Sequence, residues 1–334
     1  MILSEIGGDA KGGVDSRAVT DAPSLDLSVV VPVYNSAEIL PDLIARLSPV
    51  LDAAAPAWEI VLVNDGSRDA SWAVIAELAR THPRVRGLDL MRNYGQHNAL
   101  LCGIRAAAGA RIVTIDDDLQ NPPEEIPKLL AALAPHVDVV YGTPEREQHG
   151  FFRDLASRVT KSVLKGTLGA GAATAPDVSA FRLFRTEMRR AFALYENPYV
   201  SIDVLLTWAT SRFAAVAVAH APRQAGRSNY TLRMLARHTF NMLTGFSVRP
   251  LKIASLIGFG ATLFGLAVLV WVVGRYLIQG TTVPGFPFLA SVIAIFSGAQ
   301  LFTLGIIGEY LARMHFRLMS RPVYAVRSST PPAS

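Results

Sequence analysis

"RIVTIDDDLQNPPEEI", residues 111–126, carries a run of branched apolar residues into three adjacent aspartates and then stops at two prolines. Short β-branched runs that end abruptly in polar residues predict strands of a sheet covered on both faces. The prolines suit the first turn of a following helix, at "PEEIPKLL", because their missing N–H groups need no partner there. On an extended strand, alternate residues point the same way. Asp116 and Asp118 are therefore expected on one side of the strand end and Asp117 on the other.

The same pattern recurs on either side of this stretch. "LSVVVPV" (27–33), "WEIVLVN" (58–64), "VRGLDLM" (85–91) and "VDVVYG" (137–142) are similar apolar runs, separated by helical stretches such as "SAEILPDLIARLSPVL" (36–51) and "ASWAVIAELARTH" (70–82). Alternating strands and helices predict an α/β, Rossmann-like domain with a mostly parallel sheet. Ligands in such sheets bind outside the carboxyl ends of the strands. Three of those ends carry polar groups: Tyr34 and Asn35, Asn64 and Asp65, and Asp116 to Asp118.

The 334 residues are 51% hydrophobic and only 18% charged, with a mean hydropathy of +0.30. Part of this chain is expected in a membrane. Residues 1–26, rich in Gly, Asp, Ser and Ala, lack the basic start and apolar stretch of a signal peptide and read as a disordered tail. Residues 27–230 form the expected cytoplasmic domain, losing regular alternation after 143. Residues 231–249, with Leu232, Leu235 and Phe240 set against Arg233, Arg237 and His238, predict an amphipathic helix, which suits a juxtamembrane position on the bilayer surface and equally a core-facing one. No charge falls between Lys252 and Arg275, nor between Arg275 and Glu309, and "GTTVPGFP" interrupts the apolar stretch at 280–287. A bilayer core needs about 20 apolar residues per helix, so residues 250–312 predict a hairpin of two transmembrane helices. Trp271, Tyr276, Phe286 and Phe288 lie near its turn, while Arg249, Lys252, Arg313, Arg317 and Arg321 flank the other ends. That bias puts the domain, the tail at 313–334 and both termini in the cytoplasm, with the protein in the inner or plasma membrane.

Net charge is +5. The excess lies toward the membrane spans and no nucleic-acid recognition motif accompanies it, so anionic lipid and phosphate are the expected partners. A single cysteine, Cys102, excludes an intrachain disulfide and a cysteine-rich metal site. Asp116 and Asp118 form a small set of oxygen donors suited to Mg²⁺ or Mn²⁺, which share their coordination with substrate phosphates. Aspartates at strand ends also cap helices, and that plainer role stands beside the first. Asp65, before a sharp turn at Gly66, is placed to accept from a nucleobase or ribose. Pro32 fixes a backbone angle, and Tyr34 offers a flat ring for stacking.

"VPVYNSAEIL", "VNDGSRDAS", "MRNYGQHNALLCGIRAAAG", "IDDDLQNPPEEIPKL" and "VDVVYG" resemble, in order, the motifs of glycosyltransferase family 2, which has the GT-A fold. "DVSAFRLFR", "RQAGRSNY", "GIIGEYLARM" and "RPVYAV" narrow the likeness to the polyprenyl-phosphate glycosyltransferases, a group related to dolichyl-phosphate mannose synthase. Within that group, "NYGQH" and "DLQNPPEEIP" look closest to the undecaprenyl-phosphate 4-deoxy-4-formamido-L-arabinose transferases.

The resemblance implies that Pro32, Tyr34, Asp65, Asp116 and Gln120 bind a nucleotide sugar, and that Asp116, Asp118 and Gln120 hold Mg²⁺ or Mn²⁺. It implies catalytic roles for Asp118, Arg153 and Arg223, and an acceptor-phosphate site at Arg182, Arg223 and Ser228. The implied partners are a nucleotide sugar, a polyprenyl phosphate, the bilayer and further copies of the chain. Four positions depart from the family pattern: Ser36 stands where Glu is common, Asn64 replaces the first Asp of D-D-G, Ala180 replaces an Asp and Asn229 a Lys. Asp117 occupies a position where the family often has a small residue. The departures leave open a catalytically weakened paralogue that binds or assembles. A processive polysaccharide synthase is the remaining alternative, but its Q-x-x-R-W motif is missing.

Overall fold

The structure, a computed structural model, describes residues 25–144, 179–197, 200–221, 249–279, 285–319 and 321–331. Strand β1 (Leu25–Val33) leads through α1 (Leu40–Ala54) to β2 (Trp58–Asn64), and α2 (Ser71–Thr81) leads on to β3 (Val85–Leu90). Helix α3 (Gln96–Ala106) then crosses back to β4 (Gly109–Thr114), followed by α4 (Ile126–Ala132) and β5 (Val139–Pro144). The later described segments add β6 (Arg182–Arg185), α5 (Ile202–Ala209) and β7 (Phe213–Val218). Two long helices, α6 (Arg249–Gln279) and α7 (Phe286–Leu318), precede a last strand, β8 (Val326–Ser329).

Among the described residues the strands form one sheet in the order β7-β5-β6-β4-β1-β2-β3-β8. The four strands β4-β1-β2-β3 are parallel, and β6 inserts antiparallel between β4 and β5. Period-two alternation divides the core. Val29, Val31 and Val33 pack with Leu43, Leu47, Ile75 and Leu129 on the face covered by α1, α2 and α4. Val30, Val61 and Val63 face α3 and α5 through Leu101, Ile104 and Leu205. Both faces are thus covered, which is why these strands are apolar throughout. Cys102 is buried in α3, where burial pushes its thiol up to about 12, as befits an inert packing residue.

Three expectations need correction. Strand β4 ends at Thr114, so the aspartates lie on the turn beyond it and strand alternation does not govern them. Helix α1 begins at Leu40 rather than Ser36, because residues 34–37 bond sideways to another loop. The stretch 321–331, read from the sequence as part of a tail, contains a strand: β8 pairs antiparallel with β3. The expected helix at 231–249 lies outside the described residues, apart from Arg249.

Helices α6 and α7 contain apolar spans of 28 residues (Leu251–Ile278) and 18 residues (Ile295–Ala312), each with 0% of its most apolar window buried in the protein. At about 1.5 Å per residue the first span measures about 42 Å, and the second about 27 Å within a helix of 33 residues, comparable to a hydrocarbon core of about 30 Å. Their exposed apolar surface suits lipid and rules out helices buried inside a soluble core. The two pack together where Gly265 leaves room for the Phe296 ring. Because β8 follows α7 yet belongs to the same sheet as β1, the chain returns to the side it left: any crossing by α6 is reversed by α7.

Candidate active site

The direction of winding reverses between β1 and β4, since β2 and β3 extend on one side of β1 and β4 lies on the other. A crevice opens at such a switch point, and one residue widens it here. The β1·β4 register ends at Val30↔Thr114, with Ile115 N donating to Val30 O at 3.2 Å. By alternation, the backbone of Pro32 also faces β4. Proline has no N–H to extend that ladder, so the strands part at this point.

The turn leaving β1 is fastened to the turn leaving β2. Asn35 N donates to Ser67 Oγ (3.0 Å), Ser36 N to Ser71 Oγ (2.9 Å), Ala37 N to Asp69 Oδ2 (3.1 Å) and Arg68 N to Asn35 Oδ1 (2.8 Å). Asn35 has φ 54°, a left-handed conformation that asparagine tolerates. Gly66 has φ +63°, and a Cβ there would stand 2.4 Å from the backbone of Arg92 and Asn93. Glycine is therefore required for the β2 turn to meet the β3 turn. Tyr34 is left 45% exposed at the crevice mouth.

On the β4 side, Asp116 to Asp118 occupy the turn before Leu119, whose φ of 57° is strained for a bulky side chain. Asp117 is held by tertiary contacts: its Oδ2 accepts from Ser36 Oγ (2.6 Å) and Tyr34 N (3.3 Å). Asp116 Oδ1 accepts from Gln96 Nε2 at 2.6 Å, and Asp118 Oδ1 from Gln120 N at 3.2 Å. Burial, reinforced by the charges of Asp118 and Asp117, pushes the Asp116 carboxyl up to about 7.

That shift makes a prediction about stability. An ordinary carboxyl ionises near pH ~3.9. A folded-state value above it favours the protonated fold, so the contribution of Asp116 is full below pH ~4 and is lost as pH rises through about 7. Ligand-free protein is expected to melt at a lower temperature at pH 7.5 than at pH 5. Asp116→Asn should flatten that difference in parallel thermal scans; an unchanged slope would count against the assignment.

Asp65, read from the sequence as a nucleotide contact, is 3% exposed. Its two oxygens accept from Tyr94 N (2.7 Å) and Gly95 N (2.9 Å). Burial raises its pKa while those amides pull it back. In this structure Asp65 holds the loop that opens α3. Arg182, expected at the acceptor phosphate, is instead 1% exposed within β6 and paired with Asp203. Its Nε also donates to Ala180 O at 3.3 Å, so the guanidinium is engaged within the protein. Pro32, Tyr34, Asp116 and Asp118 come together at the crevice with Gln120, whose backbone O accepts from Ala221 N at 2.8 Å. Arg153, Arg223, Ser228 and Asn229 lie outside the described residues.

Sequence reasoning missed Gln96 and the partners of Asp117. The available signal was position: Gln96 follows Gly95 at the start of α3, at the same sheet edge as the aspartates. Asn64 gains a physical account as well. It is buried and donates through Nδ2 to Asp89 Oδ1 at 2.7 Å, across the β2·β3 register. An aspartate there would oppose two buried carboxylates, at a cost of about 3 kcal/mol. Asn64→Asp is therefore expected to lower the unfolding midpoint of the solubilised chain, and an unaltered midpoint would refute this account.

The doubly wound sheet, the acidic turn at its switch point and two exposed helices long and apolar enough to cross a membrane are the arrangement expected of a membrane glycosyltransferase of GT-A fold. Residues 28–193 match glycosyl transferase family 2, and this chain belongs to that family. It is 34% identical over 313 residues to the undecaprenyl-phosphate 4-deoxy-4-formamido-L-arabinose transferase of Pectobacterium carotovorum subsp. carotovorum (strain PC1), covering 92% of this chain and 95% of that one. It is 33% identical over 316 residues to the enzyme of the same name from Salmonella choleraesuis (strain SC-B67), covering 94% and 96%. Among solved structures it resembles glucosyl-3-phosphoglycerate synthase from Mycobacterium tuberculosis in complex with Mn²⁺ and UDP-glucose, at 19% identity and a TM-score of 0.48, covering 66% of this chain and 77% of that one.

Proposed function

We propose that this glycosyltransferase moves a sugar from a nucleoside diphosphate, UDP in preference, to a polyprenyl phosphate such as undecaprenyl phosphate, with inversion at the anomeric carbon. The observation that carries the reading is the β1/β4 crevice, where Tyr34, its side chain exposed, donates through its backbone N to Asp117, the middle residue of the acidic turn. Relatives named for transfer involving undecaprenyl phosphate match nearly the whole chain, including its paired apolar helices. The lipid product would serve as a sugar donor for envelope glycan or lipid modification. The domain is assigned to the cytoplasmic face of the inner membrane, where the basic residues flanking the helices favour it.

The donor set of the acidic turn fits a divalent cation. Two neighbouring carboxylates, one with its pKa pushed up to about 7 by burial and like charge, would be relieved by a hard ion that completes its shell with diphosphate oxygens. Among the described residues no group of three His, Cys, Asp or Glu side chains is placed to hold a metal, so the proposed site is shared with the substrate. Mg²⁺ or Mn²⁺ bound there by Asp116 and Asp118, with Gln120 beside them, would supply charge stabilisation to the departing nucleoside diphosphate.

The chain's own residues do the positioning. Tyr34 offers a face to the base, Pro32 keeps the crevice open, and Asp65 fixes the loop from which Gln96 reaches Asp116. Arg153, Arg223 and Ser228 are assigned to the donor diphosphate and acceptor phosphate, for which guanidinium groups are suited. A phosphomonoester has a second pKa of about 6 and is already largely dianionic near neutrality. It can attack the anomeric carbon without surrendering a proton to a side chain, so alignment is the main requirement. One in-line displacement inverts that carbon.

The test is a screen of UDP- and dTDP-sugars with purified full-length protein, short-chain polyprenyl phosphate and Mg²⁺ or Mn²⁺, with products read by mass. A glycosyl phosphopolyprenol from a UDP-sugar, abolished by chelator, is expected. Full turnover in excess chelator would sink the metal assignment, and lack of product with every donor would sink the reaction.

A further inference from the structure

We infer that Ser36 and Asp117 form a coupled positioning pair that joins the β1 turn to the β4 turn across the crevice and fixes the backbone beneath Tyr34. Its consequence for substrate rests on the proposed donor site; the pair itself does not.

The need for such a device follows from the parted strands. Beyond Val30↔Thr114 no β1·β4 pair continues the register. The two turns that would frame a donor therefore leave the sheet without a backbone ladder between them. The β1 turn is well held on its other side, where residues 35–37 bond to residues 67, 69 and 71. Toward β4, the side-chain contacts that close the gap converge on one atom: Asp117 Oδ2 accepts from Ser36 Oγ at 2.6 Å and from Tyr34 N at 3.3 Å. Ser36 Oγ also lies 3.2 Å from Tyr34 O. A hydroxyl has a single proton, and the shorter distance to an ionisable oxygen assigns it to Asp117. Asn35, between the two donors, is left-handed at φ 54°, a conformation that persists where surrounding contacts over-determine it.

The chemistry of the two positions is complementary. Position 36 supplies a donor and position 117 an acceptor, whereas a carboxylate at 36 would confront Asp117 with a second acceptor at hydrogen-bond distance. Ser36 and Asp117 are thus opposite ends of one bond. Because the second bond ends on the Tyr34 amide, the pair sets where that exposed ring stands relative to Asp116 and Asp118. Asp117 is a positioning residue in this role, acting on the donor through Tyr34.

Hydrogen exchange read by mass spectrometry on the full chain in detergent tests the contact directly. Asp117→Ala is expected to speed exchange of the 34–37 amides at least tenfold while leaving 27–33 unchanged. Ser36→Ala should act in the same direction, and the double variant should exchange no faster than Asp117→Ala alone. Asp117→Asn, which keeps an acceptor oxygen, should retain most of the protection. UDP titration in the presence of Mn²⁺ supplies the second readout: Asp117→Ala is expected to weaken UDP binding about tenfold, with Asp117→Asn nearer to wild type. Unchanged exchange at 34–37, or effects of the two alanines that multiply, would overturn the pair. If wild-type protein binds neither UDP nor dTDP, the donor reading fails, and the exchange result still decides whether the pair exists.

Discussion

Asp118→Ala is expected to lower sugar transfer at least about a thousandfold, a loss of about 4 kcal/mol of transition-state stabilisation, while leaving the fold intact. Asp118 stands on the turn after β4, half-buried at the crevice. Its removal halves the carboxylate pair assigned to the cation. It also takes away the larger of the two charge effects that raise Asp116, so the ligand-free variant should melt no lower than wild type. Asp118→Asn separates charge from geometry. The amide oxygen can still accept from Gln120 N, as the carboxylate does at 3.2 Å, so the Leu119 turn is preserved while the negative charge is gone. If the charge is what matters, both variants lose activity to a similar degree; if the turn matters, the asparagine recovers most of it. Rates within tenfold of wild type for both, measured with the donor found in the screen, would refute the assignment.

The fold was legible where burial imposes a composition. β1 to β5 are buried along most of their length, so their sequences had to be apolar runs, and the runs marked them. β8 obeys no such rule: "VRSS" is largely exposed, and what makes it a strand is the free edge of β3, a property of the partner rather than of those four residues. The site was legible as a set of strand ends and no further. That Asp65 would turn to Tyr94 and Gly95, or Asp117 to Ser36, depends on how turns remote in sequence are brought together by the sheet, and local pattern carries no trace of it. Arg182 misled for the same reason. An arginine within a phosphate-handling motif reads as a ligand, until β6 is seen inserted between β4 and β5 with its guanidinium turned onto Asp203.

Deleting residues 321–334, a cut placed after the membrane hairpin, is expected to cost both stability and transfer although every residue assigned to the site remains. The segment is built into the domain. β8 pairs with Leu88 to Leu90, Gly87 N donates to Thr330 Oγ1 at 2.8 Å, Met91 N donates to Ala325 O at 2.9 Å and Arg327 donates to Met91 O at 2.8 Å. Val323 is buried in the α3 face, and the Tyr324 ring lies 5.7 Å from the Arg105 guanidinium, which holds the carbonyls of Ala193 and Tyr195. Burying one valine contributes about 1.5 to 3 kcal/mol, and each hydrogen bond about 1 kcal/mol net. The segment therefore contributes a large share of the roughly 5 to 15 kcal/mol that a domain possesses. Its loss also bares the β3 edge to pairing with other chains. The effect reaches the site because β3 runs directly into the loop whose Tyr94 and Gly95 amides hold Asp65 and whose Gln96 holds Asp116. Since α6 and α7 survive the cut, membrane fractionation should be unchanged, which separates this effect from loss of anchoring. Val323→Ala and Tyr324→Ala, each removing one side chain's contacts without exposing the edge, should lower the melting temperature by smaller amounts and keep transfer within tenfold. A truncated chain that melts and turns over like the full one would show that the strand merely rests against the sheet.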